Sequence, residues 1–198
     1  MNSKPREFID KDHPVIEEYY ELIDRYGEID PKSLKTQIRK LIEQDPDFLD
    51  PYIILFEILQ DEGKMQEAEK ILNRAYKRAI KLITDSEGNW PDIIEWGYME
   101  NRHIIRTLLN KALLLWQKGK NEEGLVILRK LLRTNPTDNI GAQDFILAIW
   151  MGMTYKEFEN RFNKGGYYDI EIDEWFNENY IKYPDEFSWW EKAVSFEE

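Results

Sequence analysis

Cysteine does not occur in the 198 residues, which excludes disulfides, thiol nucleophiles and thiolate metal ligands together. Histidine is nearly absent: His13 and His103 stand alone, so a three-histidine metal centre has no material. Positive charge is the scarcer sign. Lys and Arg number 27 against 39 Asp and Glu, and the resulting net charge of −12 repels a phosphate backbone and argues against nucleic-acid binding. No apolar run reaches the length of a membrane-spanning helix, and Met1–Glu7 lacks the apolar stretch of a secretion signal. The expected setting is therefore cytoplasmic, with no membrane partner. The phosphate-cradling glycine loop, the HExxH pair and the GxSxG elbow are missing as well. No catalytic residue, metal ligand or cofactor is assigned, and the chain is not expected to be an enzyme.

What is present favours helix. The chain is 42% hydrophobic and 14% aromatic, enough for a core, and only ten glycines and eight prolines interrupt it. Strand-like alternation is scarce, whereas Glu, Lys, Leu, Ile and Ala fill the stretches between breaks. Val15, Ile16, Tyr19, Leu22, Ile23 and Tyr26 keep the 3–4 spacing of a helix that ends near Gly27. Asp30-Pro31 is an N-cap followed by a first-turn proline, and the next helix carries Leu34, Ile38, Leu41 and Ile42 up to Asp45-Pro46. Gly63 and Gly119 each precede a small residue, Ala68 and Gly124, by five positions, and Pro136 follows Gly119 by seventeen. Asp138 and Thr154 are read as helix caps, and Gly165-Gly166 as a break. A last helix from Ile172 to Tyr183 is expected to stop at Pro184, with Trp189-Trp190 on a short final segment.

These positions lie on a 34-residue helix-turn-helix period, and they resemble the tetratricopeptide repeat family. The matching residues are Tyr52, Leu55, Leu59, Gly63, Ala68, Leu72 and Ala75 in 49–82, and Leu108, Ala112, Leu115, Gly119, Gly124, Leu128 and Pro136 in 105–138. The resemblance implies an all-α fold: a right-handed helical-repeat solenoid of antiparallel helix pairs with a C-terminal capping segment. It is laid out as one domain, 1–198, with repeats at 15–48, 49–82 and 105–138, a degenerate repeat at 139–165, an insertion at 84–104 and the cap at 166–198.

The resemblance also implies a role. Such repeats bind extended peptides or helices on the face formed by the first helix of each pair. On this template that face takes Tyr19, Ile23 and Tyr26, then Ile53 and Glu57, then Arg106, Leu109, Leu113 and Trp116. The expected function is an adaptor or scaffold for a protein or peptide partner of unknown identity. A carboxylate-clamping variant would find only Arg106 and Asn110 here. Two other readings stay open: a subunit that oligomerises, as a homodimer for example, through its aromatic C-terminal end, or a small-ligand protein or enzyme that uses the insertion at 90–102.

Three local features are weighed against chemistry. His103, next to Asn101 as an N-cap and flanked by Glu100 and Arg102 as a polar brace, reads as structural. Asp169, Glu171, Asp173 and Glu174 lack calcium-loop spacing and read as a solvated acidic face. Charge is also unevenly spread. Ten acidic and two basic residues lie from Gly166 to Glu198, while Lys70, Arg74, Lys77, Arg78 and Lys81 share one helix. These two regions are expected to attract each other, within the chain or between copies.

Overall fold

Caps and glycine turns written in the sequence set the elements. The computed structural model describes residues 4–194; 1–3 and 195–198, the latter the end of the expected cap, lie outside them. The described residues are all-α, with ten α-helices, two short 3-10 turns and no strand beyond isolated bridges. Two compact units, Met1–Lys111 and Ala112–Glu198, divide the chain inside a helix, a division the repeat boundaries did not anticipate.

In the first unit, α1 spans Ile16–Asp24 and α2 spans Pro31–Gln44. The Asp30 carboxylate accepts the Lys32 and Ser33 amides at 3.0 and 3.1 Å, the cap expected of an Asp-Pro start. The helices α3, Asp50–Asp61, and α4, Met65–Ile83, pack as a pair. Gly63 joins them at φ +73°, a left-handed conformation that favours glycine. Its amide bonds to Gln60 and that of Lys64 to Leu59, both at 2.8 Å, which satisfies the last carbonyls of α3. The apolar face of α4 runs through Ala68, Leu72, Ala75, Ala79 and Ile83, so the helix overruns its repeat as its sequence suggests.

The insertion is not helical at its start. Residues 90–98 form loop and turns, and the segment before α1 runs beside them: Phe8 donates to the Ile93 carbonyl at 2.9 Å, and Asp92 and Ile93 donate to that of Arg6. A 3-10 turn, Met99–Asn101, then leads into α5, Arg102–Gln117. No residue from Asn101 to Trp116 is exposed, in keeping with a helix apolar nearly all round.

In the second unit the C-terminal half of α5 meets α6, Asn121–Thr134, across a crossing that explains the glycine at 124. A Cβ there would stand 3.1 Å from the Ala112 carbonyl oxygen. Leucine at 124 should overpack this crossing and cost about 1–3 kcal/mol; a melting temperature equal to wild type would contradict the register. The Gly119 turn repeats the bonding of Gly63, with Gly119 on Trp116 at 2.8 Å and Lys120 on Leu115 at 2.9 Å.

A third copy of that turn went unnoticed in the sequence. Gly152, φ +75°, links α7, Ala142–Trp150, to α8, Tyr155–Phe162, with its amide on Ile149 and that of Met153 on Ala148, both at 3.0 Å. Thr154 caps α8 in a reciprocal box with Glu157. Asp138 also acts as a cap, although from outside the helix: its carboxylate accepts the Ala142 and Gln143 amides of α7 at 2.9 and 2.6 Å.

The C-terminal segment differs from expectation in part. The run from α9, Glu171–Asn179, through a 3-10 turn does end before Pro184, but the segment after it is a helix of its own, α10, Pro184–Val194, with Pro184 as its first residue. Proline lacks an amide hydrogen that a first turn does not need, so the same residue that ends one helix can begin another. Phe176 and Phe187 are buried, and Trp190 donates to the Pro136 carbonyl at 2.9 Å. Glu186 accepts both a bidentate bond from Arg129, as short as 2.6 Å, and the Trp150 indole at 2.7 Å. Within this unit, the cations that meet the tail include Arg129, Arg133 over the Trp189 ring, Arg161 over the Trp175 ring and Lys164 beside Asp169.

Candidate functional site

The first unit holds two arrangements of polar groups, one closed on itself and one open to solvent. The closed one joins residues 90 positions apart. His103, on the first turn of α5, accepts the Leu49 amide on Nδ1 at 3.1 Å, which assigns its proton to Nε2, 2.9 Å from Asp10 Oδ2. The same Asp10 oxygen lies 3.1 Å from His13 Nε2, and His13 Nδ1 lies 2.8 Å from Asp45 Oδ2. Both nitrogens of His13 thus face carboxylates, and both must donate. The ring is an imidazolium.

Burial opposes that charge, but the bonds to Asp10 and Asp45 outweigh it and raise His13 above its ordinary 6.5. Burial also pushes the Asp10 and Asp45 carboxyls up. For Asp10 the bonds from His103 and His13 prevail, and for Asp45 the bond from His13, so both are held below the usual carboxylate range. Both rings are nearly inaccessible and meet edge to face at 4.9 Å between centroids.

Asn101 completes the clasp. It was expected to cap α5, but its side chain is spent elsewhere: Oδ1 accepts the Asp10 amide at 3.0 Å, and Nδ2 donates to the Phe8 and Glu95 carbonyls. The residue ties the N-terminal segment to the insertion. Arg102, at the start of α5, is tied to the insertion: it donates to the Trp96 carbonyl at 3.0 Å and lies over that ring.

Asp10, His13 and His103 place ligand-type atoms within 4.8 Å of one another, the spacing of a metal site. The donor set does not fit one. To bind through Nε2, a neutral His103 would need its proton on Nδ1, where the Leu49 amide already donates. The same bookkeeping leaves no free ring nitrogen to serve as a general base. A cleft of about 150 Å³ beside the clasp, walled by Ile16, Tyr20, Phe48 and Met99, therefore adjoins a structural pair.

The open arrangement lies on α1, the turn that follows it and α3. Tyr19 and Ile53 are buried, Ile23 is half-buried, and Tyr26 is 43% exposed. Glu57 is open to solvent by its exposed area but is flanked closely by neighbouring groups; the partial desolvation they impose pushes its carboxyl up, and the charges of Asp61 and Asp50 add to the effect. Tyr26 is raised by burial and then by Asp61 and Glu57. These groups share one face. Arg106 and Leu109, half-buried on α5, belong to the same unit, but the Arg106 guanidinium is committed to Asp50 at 2.5 Å and to the Trp96 ring. Asn110 donates to the Arg106 carbonyl, so the two candidates for a carboxylate clamp are turned to internal bonds.

The remaining two expected residues fall in the second unit. Leu113 is half-buried, while Trp116 is core: 2% exposed, it donates to the Met153 carbonyl at 3.0 Å and packs edge-on against Phe145, Tyr155 and Phe158. The His13 clasp was missed in the sequence. The only signal was that both histidines of the chain end up spent in one place, and nothing local links position 13 to 103.

Comparison with known proteins gives one finding. Residues 105–138 match the tetratricopeptide repeat. Neither the curated proteins nor the solved structures contain a match to the chain. The matched span covers α5 from its second turn, the Gly119 turn, α6 and Pro136, which are the elements of one repeat. Repeats of this kind are protein-interaction modules. The helix pair, its left-handed glycine turn, the close crossing at Gly124 and the family match all fall on the same residues, so 105–138 has the build of one tetratricopeptide repeat.

Proposed function

We propose that the chain is a docking module that holds a segment of a partner protein on the α1–α3 face, and that this segment presents a lysine or arginine. Glu57 carries the reading. Its carboxyl is raised by burial and by two neighbouring carboxylates, and it has no cation partner among the described residues. A ligand cation would relieve that repulsion, and the Tyr26 ring beside it offers a cation–π surface. Tyr19 and Ile53 supply a rigid floor, and Ile23 an apolar flank.

The small-ligand or catalytic alternative at 90–102 is less well supported, because both nitrogens of each histidine are engaged. The aromatic-end alternative is weakened by the burial of Phe176 and Phe187.

The test uses labelled helical peptides that differ only in a central Lys, Ala or Glu. Anisotropy should rank Lys first, and Glu57→Gln or Tyr26→Ala should each raise its Kd by about tenfold, the equivalent of about 1.4 kcal/mol. Equal affinity for the three peptides, or no effect of Glu57→Gln, would remove the proposal.

A further inference from the structure

We infer that a second copy of this chain docks the acidic flank of its α9 against the basic face of α4. On α4, Lys70, Arg74, Lys77 and Lys81 follow one another at steps of four, three and four residues and all are exposed. That spacing makes a straight row about 16 Å long at 1.5 Å per residue, opposite the buried Ala68, Leu72, Ala75 and Ala79. The row lines an open groove of about 610 Å³ together with Asn73 and Arg78.

Several cations elsewhere in the first unit are matched: Arg39 with Glu67 at 3.1 Å, Lys40 with Glu18 at 3.2 Å, Lys64 with Glu62 at 2.7 Å. Arg78 is taken by Asp47 at 2.6 Å, and Arg74 lies over the Tyr52 ring. Among the described residues, Lys70, Lys77 and Lys81 have no carboxylate partner. A face this charged in a protein of net −12 is a local reversal of sign.

The complement is in the same molecule. Glu171, Glu174 and Glu178 step along one exposed flank of α9 at three and four residues, away from the buried Trp175 and Phe176. Glu186 is consumed by Arg129, and Glu171 is only loosely held by Arg161 at 3.9 Å, but Glu174 and Glu178 have no cation partner among the described residues. Row and flank share the helical 3–4 period, so successive charges on one can meet successive charges on the other. A nucleic acid fits less well, because its phosphates would extend past a row of four cations into a surface of their own sign.

Each exposed ion pair is worth about 0–1 kcal/mol, so the association is weak and depends on concentration. Each copy carries one row and one flank, and this allows a decisive test by sedimentation velocity over a concentration series. Wild type should associate as concentration rises. Lys77→Glu/Lys81→Glu alone, and Glu174→Lys/Glu178→Lys alone, should stay monomeric, since row and flank then have like charge. An equimolar mixture of the two variants should associate again, because the reversed row of one meets the reversed flank of the other. The neutral Lys77→Gln/Lys81→Gln, which adds no repulsion, should also weaken association. A wild type that is monomeric throughout, a reversed variant that associates like wild type, or a mixture that stays monomeric would each overturn the interface.

Discussion

Replacing His13 with alanine is expected to cost about 3–5 kcal/mol, because it leaves the carboxylates of Asp10 and Asp45 buried without their shared cation. Denaturant unfolding near pH 6 measures the loss, and a cost under about 1 kcal/mol would show that the imidazolium assignment is wrong. The effect depends on pH in a direction the bonding fixes. His13 is raised in the folded chain above 6.5, so its contribution is complete below that value and is lost as pH rises through the folded one. Asp10 and Asp45 are lowered from 3.8, so theirs is present above that value and is lost as pH falls through the folded ones. The clasp is strongest between the two limits, and in His13→Ala that optimum should flatten.

The second large effect is expected from Asp144 on α7. Burial pushes its carboxyl up to about 8, the charges of Asp138 and Asp173 add to the shift, and its Oδ1 has no hydrogen-bond partner among the described residues. The folded chain therefore keeps a proton that the unfolded chain releases near 3.8, and stability falls as pH rises from there to about 8. Asp138, pushed up by burial to about 6 although backbone amides oppose it, adds to the fall in the lower part of that window. Because one pKa unit is worth about 1.4 kcal/mol, the decline attributable to Asp144 between mildly acidic and mildly alkaline pH amounts to several kcal/mol. Asp144→Asn, which keeps the shape without the titration, should remove most of this slope and raise the melting temperature at pH 8. An unchanged pH profile would mean that Asp144 is ionised in the folded state and paired by other means.

Residues that act through their immediate neighbours were legible. Asp30-Pro31, Gly63, Gly119 and Thr154 set caps and turns within one helical turn of themselves, and the structure places each where its local chemistry requires. Pro184 was legible only in part: the helical run before it ends as read, but a proline also suits the first turn of a helix, and the preceding residues do not announce that α10 begins there. Asn101 misled: its local environment suited an N-cap, but a segment more than ninety residues away claimed its side chain. Trp116 carries the period of a surface position, yet the rings of α7 and α8 close over it.

The all-α class, the helix-glycine-helix repeat at 105–138 and the uneven charge along the chain were readable from the residues alone, since each depends on spacing within a few turns. That His13 and His103 share Asp10, that Arg106 is spent on Asp50, and that Glu57 stands among carboxylates with no cation partner among the described residues follows from the packed chain alone. Those are long-range pairings. A buried ion or hydrogen bond draws its energy from partners brought together by folding and from the water excluded around them, and neither is written in the residues on either side.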